Sequence, residues 1–289
     1  MVTAMMLLPA MDIVAKLLSA NMASGQAAWS RFAFQALYLL PLVATGTHGL
    51  RIPAQWHLHA LRGLFIATAT LLFFTAITHM PVADAIAIFF VEPLLLTLMS
   101  PFFLGEKIGW RRVSASLFGF IGALIIIQPG QSAFDWRAVL PLGAAFCFAF
   151  YLVLTRKLAQ RTDPVTVQFF TGVAGCIALT LALGLGTFLK IEFLTISIPT
   201  PPQWGLMALL GAIGCVGHLL VVQAFRYHDA SLLAPLQYLE IVSAVLLGWL
   251  VFSDFPSETT WLGIAIIIGA GIYVYWREQR AKAIDDSNS

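Results

Sequence analysis

The feature that most constrains this chain is a succession of long apolar runs with very few charged residues in them. Of its 289 residues, 60% are apolar and only 10% are charged, whereas a soluble domain carries about 25% charged residues. A helix needs about 20 mostly apolar residues to cross the hydrocarbon core of a bilayer. The composition therefore excludes most soluble folds and predicts an all-α polytopic membrane protein.

Ten apolar runs are separated by polar, proline or glycine residues, and each can supply one transmembrane helix. They cover residues 3–20, 26–45, 58–79, 82–104, 110–128, 138–156, 165–188, 203–225, 230–252 and 259–276. The polar residues that follow, 278–289, are expected to form a disordered cytoplasmic tail.

The distribution of Lys and Arg predicts the orientation of the chain, because these residues are retained on the cytoplasmic side of a membrane. With the N-terminus inside, twelve of them fall in cytoplasmic segments and only Arg137 and Lys190 fall outside, while Lys16 and Arg31 lie within runs. Both termini are then cytoplasmic, which agrees with an even number of crossings. The expected location is the bacterial inner (plasma) membrane.

The sequence repeats itself at an offset of 148 residues, which predicts a duplication. The matched positions include Gln55-Trp56 with Gln203-Trp204, Glu92 with Glu240, and Glu106 with Asp254. The first five-helix repeat would span residues 1–130 and the second 131–277. Because five is odd, the second copy enters from the opposite side, and such inverted repeats place a substrate site near the bilayer midplane.

Glu92 and Glu240 lie near the middle of the fourth and ninth runs, where an ionisable side chain costs about 2.5–3.5 kcal/mol on insertion scales. We expect them to face each other across a central cavity, where they bind cationic or hydrogen-bonding groups or carry a proton. The alternative for each is a structural carboxylate that hydrogen-bonds to a neighbouring helix. Glu92 precedes Pro93 and can instead cap a break in its helix.

Asp12 and Lys16 are four residues apart and share one face of the first predicted helix. We expect them to pair, with Arg31 on the next helix as a possible third member. Such a group can hold a substrate carboxylate or phosphate, act as a latch, or simply brace two helices. Further candidates for substrate contact are His218, Gln223, Gln237, Tyr238 and Phe89.

Several other classes of protein find no support in the sequence. No basic face interleaved with aromatic residues is available for nucleic acid, and no P-loop motif is present for ATP. His48, His57 and His59 cluster, but no carboxylate or cysteine completes a metal site. No catalytic constellation is evident, so neither an enzyme nor a cofactor is predicted.

Three motifs of the first half resemble the EamA-type branch of the drug/metabolite transporter superfamily. They are Trp29-Ser30-Arg31-Phe32, Glu92-Pro93 and Gly105-Glu106. The second half resembles the same pattern at Glu240 and Asp254, although Ile241 and Asp254 replace the more usual proline and glutamate. Met11-Asp12 with Lys16 is similar to a subgroup that includes carriers proposed for riboflavin or S-adenosylmethionine.

The resemblance implies a cavity lined mainly by the third, fourth, eighth and ninth helices, and alternating access by rocking of the two halves. It also implies that the fifth and tenth helices can form a homodimer contact. The sequence as a whole therefore predicts a secondary active transporter of a small polar or aromatic metabolite, driven by protons or by exchange. An integral membrane enzyme and a gated channel are the alternatives.

Overall fold

The computed structural model describes residues 1–45, 52–80, 82–128, 136–252 and 258–287, and within these ranges the regular elements are all helices. The α-helices are α1 (Val2–Ser19), α2 (Ser24–Thr45), α3 (Trp56–His79), α4 (Val82–Phe89), α5 (Glu92–Leu104), α6 (Trp110–Ile127), α7 (Val139–Ala159), α8 (Pro164–Phe188), α9 (Pro201–Tyr227), α10 (Ala230–Leu233), α11 (Leu239–Phe252) and α12 (Glu258–Ser287).

Within the ranges that the structure describes, six segments are long and apolar enough to cross a membrane, which makes this a multi-pass membrane protein. They are α1, α3, residues Ala85–Leu104 of α4 and α5, α7, α8 and α9. Ala230–Leu246 and Glu258–Tyr273 are shorter apolar helical segments. The count of ten spans stays a prediction. α12 continues as far as Ser287, where a disordered tail was expected from residue 278, since Ala281 and Ala283 favour a helix.

Two apolar runs are broken halfway, at positions that correspond in the two halves. α4 is separated from α5, and α10 is followed by a 3₁₀ segment, Ala234–Tyr238, before α11 begins. Pro93 lies in the first turn of α5 and Pro235 in the 3₁₀ segment, and proline lacks the N–H that continues an α-helix. Glu92 and Glu240 consequently occupy the first turn of the helix after each break.

The contacts between the two halves of the chain come in matched pairs. α1 packs on α9 as α3 packs on α7, α2 packs on α9 as α3 packs on α8, and α1 packs on α11 as α5 packs on α7. Two further contacts, α2 with α8 and α6 with α12, join equivalent helices. Exchanging the halves therefore converts each paired contact into its counterpart and leaves the last two unchanged, which is the pattern of an approximate twofold relation.

Two contacts lie where such a twofold axis would pass. The Tyr238 hydroxyl donates to the Phe90 carbonyl oxygen at 3.2 Å, and these residues are separated by the repeat offset of 148. α6 and α12 cross at Gly122 and Gly263, where a Cβ on Gly263 would lie 2.7 Å from the Gly122 carbonyl oxygen. The close approach of the two backbones requires glycine at this crossing.

Candidate functional site

A cavity lies in the middle of the helical bundle, with about 760 Å³ of empty space counted out to its open end. Most of its wall is apolar, and five polar side chains interrupt that wall. These are Asp12, Arg31, Thr70, His218 and Glu240. The resemblance implied walls from the third, fourth, eighth and ninth helices; α1, α2 and Phe148 of α7 also contribute.

Arg31 is only 2% exposed and is held by two side chains that are equivalent under the repeat offset. Its Nη1 donates to the Thr70 hydroxyl, and its Nη2 donates to His218 Nε2 at 2.5 Å. Its Nε has no hydrogen-bond partner in the described part of the chain. Both terminal nitrogens of the cavity's guanidinium are thus engaged by the protein itself.

The contact with Arg31 fixes the protonation state of His218. A guanidinium can only donate hydrogen bonds, so His218 Nε2 must accept, and the ring proton resides on Nδ1. Nδ1 is 2.8 Å from the Tyr151 hydroxyl oxygen, to which it donates. His218 is therefore neutral in this arrangement and does not contribute a positive charge to the cavity.

A second buried guanidinium, that of Arg62, continues this network behind the cavity. Arg62 is fully buried, and its Nη2 donates to the Tyr151 hydroxyl at 2.9 Å while its Nε donates to Thr155 at 2.8 Å. Its Nη1 donates to Thr171, and its carbon Cζ lies 4.4 Å from the centroid of the Tyr151 ring. The side chains that hold Arg62 are all neutral.

Asp12 and Glu240 are the two carboxyl groups on the cavity wall. Neither makes a hydrogen bond to another described residue. Asp12 lies within the electrostatic influence of Arg31, whereas the charged neighbours of Glu240 are Asp12 and Glu92, both of them acids. Asp12 therefore has a cationic neighbour in the protein, and Glu240 has none among the residues that the structure describes.

Glu92 lies behind the cavity wall and is not part of its lining. It is 1% exposed, and the Gln237 side chain adjoins it. Glu92 Oε1 and Gln237 Nε2 have no hydrogen-bond partner of good geometry among the described residues. The sequence placed Glu92 and Glu240 symmetrically across a cavity; in the structure only Glu240 reaches it.

The remaining candidates have three different placements. Phe89 lines the cavity, while Tyr238 is fully buried against Phe90. Lys16 and Gln223 are exposed and do not line the cavity. The expected pairing of Lys16 with Asp12 does not occur: no ion pair joins these two described residues, and Asp12 has Arg31 as its cationic neighbour instead.

The rings of Phe73, Phe89 and Phe148 contact one another in the lining of the cavity, and we call this group the aromatic wall. Phe89 packs edge-on against Phe73 with ring centroids 5.3 Å apart, and against Phe148 with centroids 5.4 Å apart. The three rings come from α3, α4 and α7. All three rings line the same cavity as Asp12 and Glu240.

One end of the bundle carries a cluster of ion pairs, which we call the ion cluster. Arg156 Nη2 lies 2.9 Å from Asp229 Oδ1, and Arg112 Nη1 lies 3.3 Å from Asp229 Oδ2. Glu106 accepts backbone hydrogen bonds from the start of α10, at 2.8 Å from Ala230 and 3.0 Å from Ser231. The cluster ties α6, α7 and α10 to the segment after α5.

The ion cluster lies beyond the cavity along α7. Arg156 is eight residues further along this helix than Phe148, which corresponds to about 12 Å at 1.5 Å per residue. α11 begins at the cavity with Glu240 and runs away from the ion cluster. The cluster thus connects helices near one end of the bundle, about 12 Å along α7 from the cavity.

The histidines near the start of α3 do not come together in the described structure. His57 is exposed, whereas His59 is 1% exposed and packs against Phe170. His48 and Asp254 lie outside the described residues.

Arg62 and Tyr151 were missed as candidates, for two different reasons. Arg62 is one of the twelve Lys and Arg residues expected in cytoplasmic segments, because it lies near the start of its apolar run. Because Arg62 lies inside the apolar run of residues 58–79, the sequence already indicated that its side chain could be buried. Tyr151 gave no signal, since an aromatic residue in an apolar run is unremarkable.

Comparison with known proteins identifies relatives over nearly the whole chain. The model of the EamA-like transporter family matches residues 1–128 and 136–276. A riboflavin transporter of Brucella anthropi is 31% identical over 85% of each chain. An S-adenosylmethionine uptake transporter of Rickettsia bellii is 27% identical over 93% of this chain and 90% of its own.

Two further comparisons extend this result. A pseudopaline exporter of Pseudomonas aeruginosa is 30% identical over 73% of this chain and 72% of its own. One solved crystal structure shares the fold, with a TM-score of 0.77 at 21% identity over 93% of both chains. The resemblance inferred from the sequence motifs is confirmed, and the chain belongs to the EamA-like transporter family.

Proposed function

We propose that this protein is a secondary active transporter that moves a small polar or aromatic metabolite across the bacterial inner membrane by alternating access. The observation that carries this proposal is the position of the cavity relative to the ion cluster. A cavity with charged walls halfway through the bundle, beside an end tied shut by ion pairs, corresponds to one of the two states that a carrier visits.

The proposed architecture is two inverted five-helix repeats, residues 1–130 and 131–277, with ten spans and both termini in the cytoplasm. The matched packing of α1 on α9 with α3 on α7 supports a twofold relation. The broken helices near the midplane support it too, because carriers with inverted repeats build their sites from such breaks. Rocking of one half against the other would open the ion cluster and close the opposite end.

The relatives narrow the choice of substrate to test. Riboflavin and S-adenosylmethionine, named for two of them, both contain a planar fused ring. The aromatic wall offers a surface on which such a ring can stack. No P-loop occurs in the sequence, so we assign the driving force to a proton gradient or to exchange.

Counterflow in proteoliposomes tests the proposal. Purified protein is reconstituted, vesicles are loaded with unlabelled riboflavin or S-adenosylmethionine, and entry of the labelled compound is followed. A carrier gives a transient, saturable accumulation of chemically unchanged label. A channel gives equilibration without overshoot, and an enzyme converts the label, so either of these outcomes would reject the proposal.

A further inference from the structure

We propose that the ligand of the central cavity is a planar aromatic cation, that is, a flat ring system that bears or adjoins a positive charge. Asp12 and Glu240 would face the charge, and the aromatic wall would hold the ring. This inference rests on the proposed function in one respect, since it takes the cavity as the substrate site.

The first argument is the charge on the cavity wall. Two carboxyl groups, Asp12 and Glu240, face a single guanidinium, that of Arg31, and His218 is neutral in its hydrogen-bonded state. Arg31 offsets one carboxylate. Among the described residues, the charged neighbours of an ionised Glu240 are then acids alone, and an uncompensated buried charge is costly. A positive charge on the ligand would compensate it.

The second argument is the supply of hydrogen-bonding groups. Both terminal nitrogens of Arg31 already donate, to Thr70 and His218. The carboxyl oxygens of Asp12 and Glu240 make no hydrogen bond to described residues, so they are vacant acceptors of the wall. Carboxylates only accept when ionised. The cavity is therefore suited to a ligand that donates hydrogen bonds or carries positive charge, and it disfavours an anion.

The third argument is the aromatic wall itself. The rings of Phe73, Phe89 and Phe148 lie 5.3 and 5.4 Å apart in edge-to-face contacts, and the same cavity contains Asp12 and Glu240. Phenylalanine faces attract cations, and they stack on flat rings. Aliphatic side chains would provide a wall of equal hydrophobicity without either interaction. Rings beside carboxylates thus favour a cation that is also flat.

The test uses pairs of compounds that differ by a methyl group and one positive charge. The pairs are S-adenosylmethionine with S-adenosylhomocysteine, and 1-methylnicotinamide with nicotinamide. Riboflavin serves as a larger neutral ring, and choline as a cation without a ring. Binding to the purified full-length protein is measured by calorimetry. We expect at least one cation of the two pairs to bind at least tenfold more tightly than its neutral partner, riboflavin and choline.

Variants assign this preference to the cavity. Glu240→Gln and Asp12→Asn should each reduce the ratio between charged and neutral partners at least threefold, while Glu192→Gln, the same change at an exposed site, leaves it unchanged. Phe89→Leu should weaken binding of both members of a pair, and Phe102→Leu, at a side chain 86% exposed, should not. Circular dichroism and melting of each variant establish that it is folded.

The outcomes separate this inference from the proposed function. If neutral members or riboflavin bind as tightly as the cations, or if the preference persists in the Asp12→Asn/Glu240→Gln double variant, the inference is overturned. The inference is also overturned if neither cation binds while riboflavin or another ligand shows counterflow. In that case the transporter proposal stands. If a cation binds as expected but shows no counterflow, the ligand class stands and the transporter proposal fails.

Discussion

Arg62 occupies a demanding position in the bundle, because its charge is fully buried and no carboxylate pairs with it among the described residues. Tyr151, Thr155 and Thr171 hold three different nitrogens of its planar group. Lysine has one nitrogen and cannot reproduce this fork of donors. Arg62→Lys should therefore lower the free energy of unfolding by about 2 kcal/mol or more.

Thermal melting of the purified protein in detergent measures this effect. Arg226→Lys, the same substitution at an exposed position of α9, is the control and should leave the melting temperature unchanged. Equal melting temperatures for the two variants would mean that the network around Arg62 does not support the fold.

Glu240 is the carboxyl group of the cavity that lacks a cationic neighbour among described residues. In Glu240→Gln the side chain keeps its size but cannot ionise. We expect folded protein in normal amount, transport reduced about tenfold or more, in line with losing a charge-assisted contact of about 1.5–3 kcal/mol, and a flatter pH dependence of the remaining transport. Transport rates in proteoliposomes across a pH series measure this. If the pH dependence of transport were the same as in the wild type, Glu240 would not carry the coupled proton.

At the level of elements, the crossing of α6 and α12 depends on two glycines. A Cβ at Gly263 would approach the Gly122 carbonyl oxygen to 2.7 Å, and backbone cannot move aside as a side chain can. Gly263→Ala should cost about 1–3 kcal/mol of stability through this overpacking. Gly269→Ala on the same helix meets nothing within 4 Å and should be neutral or slightly stabilising. Melting temperatures that fall equally would contradict the close crossing.

The ion cluster is the set of contacts between helices that we expect to break during transport. Arg156 pairs with Asp229 at 2.9 Å and lies 3.7 Å from Glu106. If these contacts contribute about 1.4 kcal/mol to the closed arrangement, Arg156→Ala raises the open population about tenfold.

A cysteine in place of Thr97 reports on this opening, because Thr97 is 1% exposed on α5, between Glu92 and the ion cluster. In a background without the native cysteines, its labelling by a membrane-impermeant maleimide should accelerate when Arg156→Ala is added. Lys157→Ala, next to Arg156 on α7, is the control. No difference between the two variants would show that the cluster does not hold this end closed.

The sequence predicts elements better than it predicts contacts between them. The depth of Glu92 and Glu240 follows from their place in apolar runs, but the contact of Glu92 with Gln237 does not, because these residues are far apart in the sequence. Helical spacing puts Lys16 on the face of Asp12, yet packing of α1 and α2 gives Asp12 the Arg31 partner instead. Thr70 and His218, which accept hydrogen bonds from Arg31, lie far from it in the sequence, so no local sequence pattern predicts them as its partners.

At the scale of the whole molecule, the matched contacts between halves have a functional consequence. If two halves are related by a twofold axis in the membrane plane, the arrangement that closes one end is available, with the halves exchanged, to close the other. The central cavity then keeps its walls while its opening changes sides. Asp12, Arg31 and Glu240 would accordingly meet the ligand in both states.

Two-sided accessibility of one cavity position tests alternating access most directly. Ala244 is exposed in the cavity wall, and Ala244→Cys, without the native cysteines, is labelled by an impermeant maleimide in right-side-out and inside-out vesicles. The predicted result is labelling from both sides, with rates that change in opposite directions when Arg156→Ala is introduced. Labelling from one side only, or rates that rise together on both sides, would contradict a carrier that exposes its site alternately.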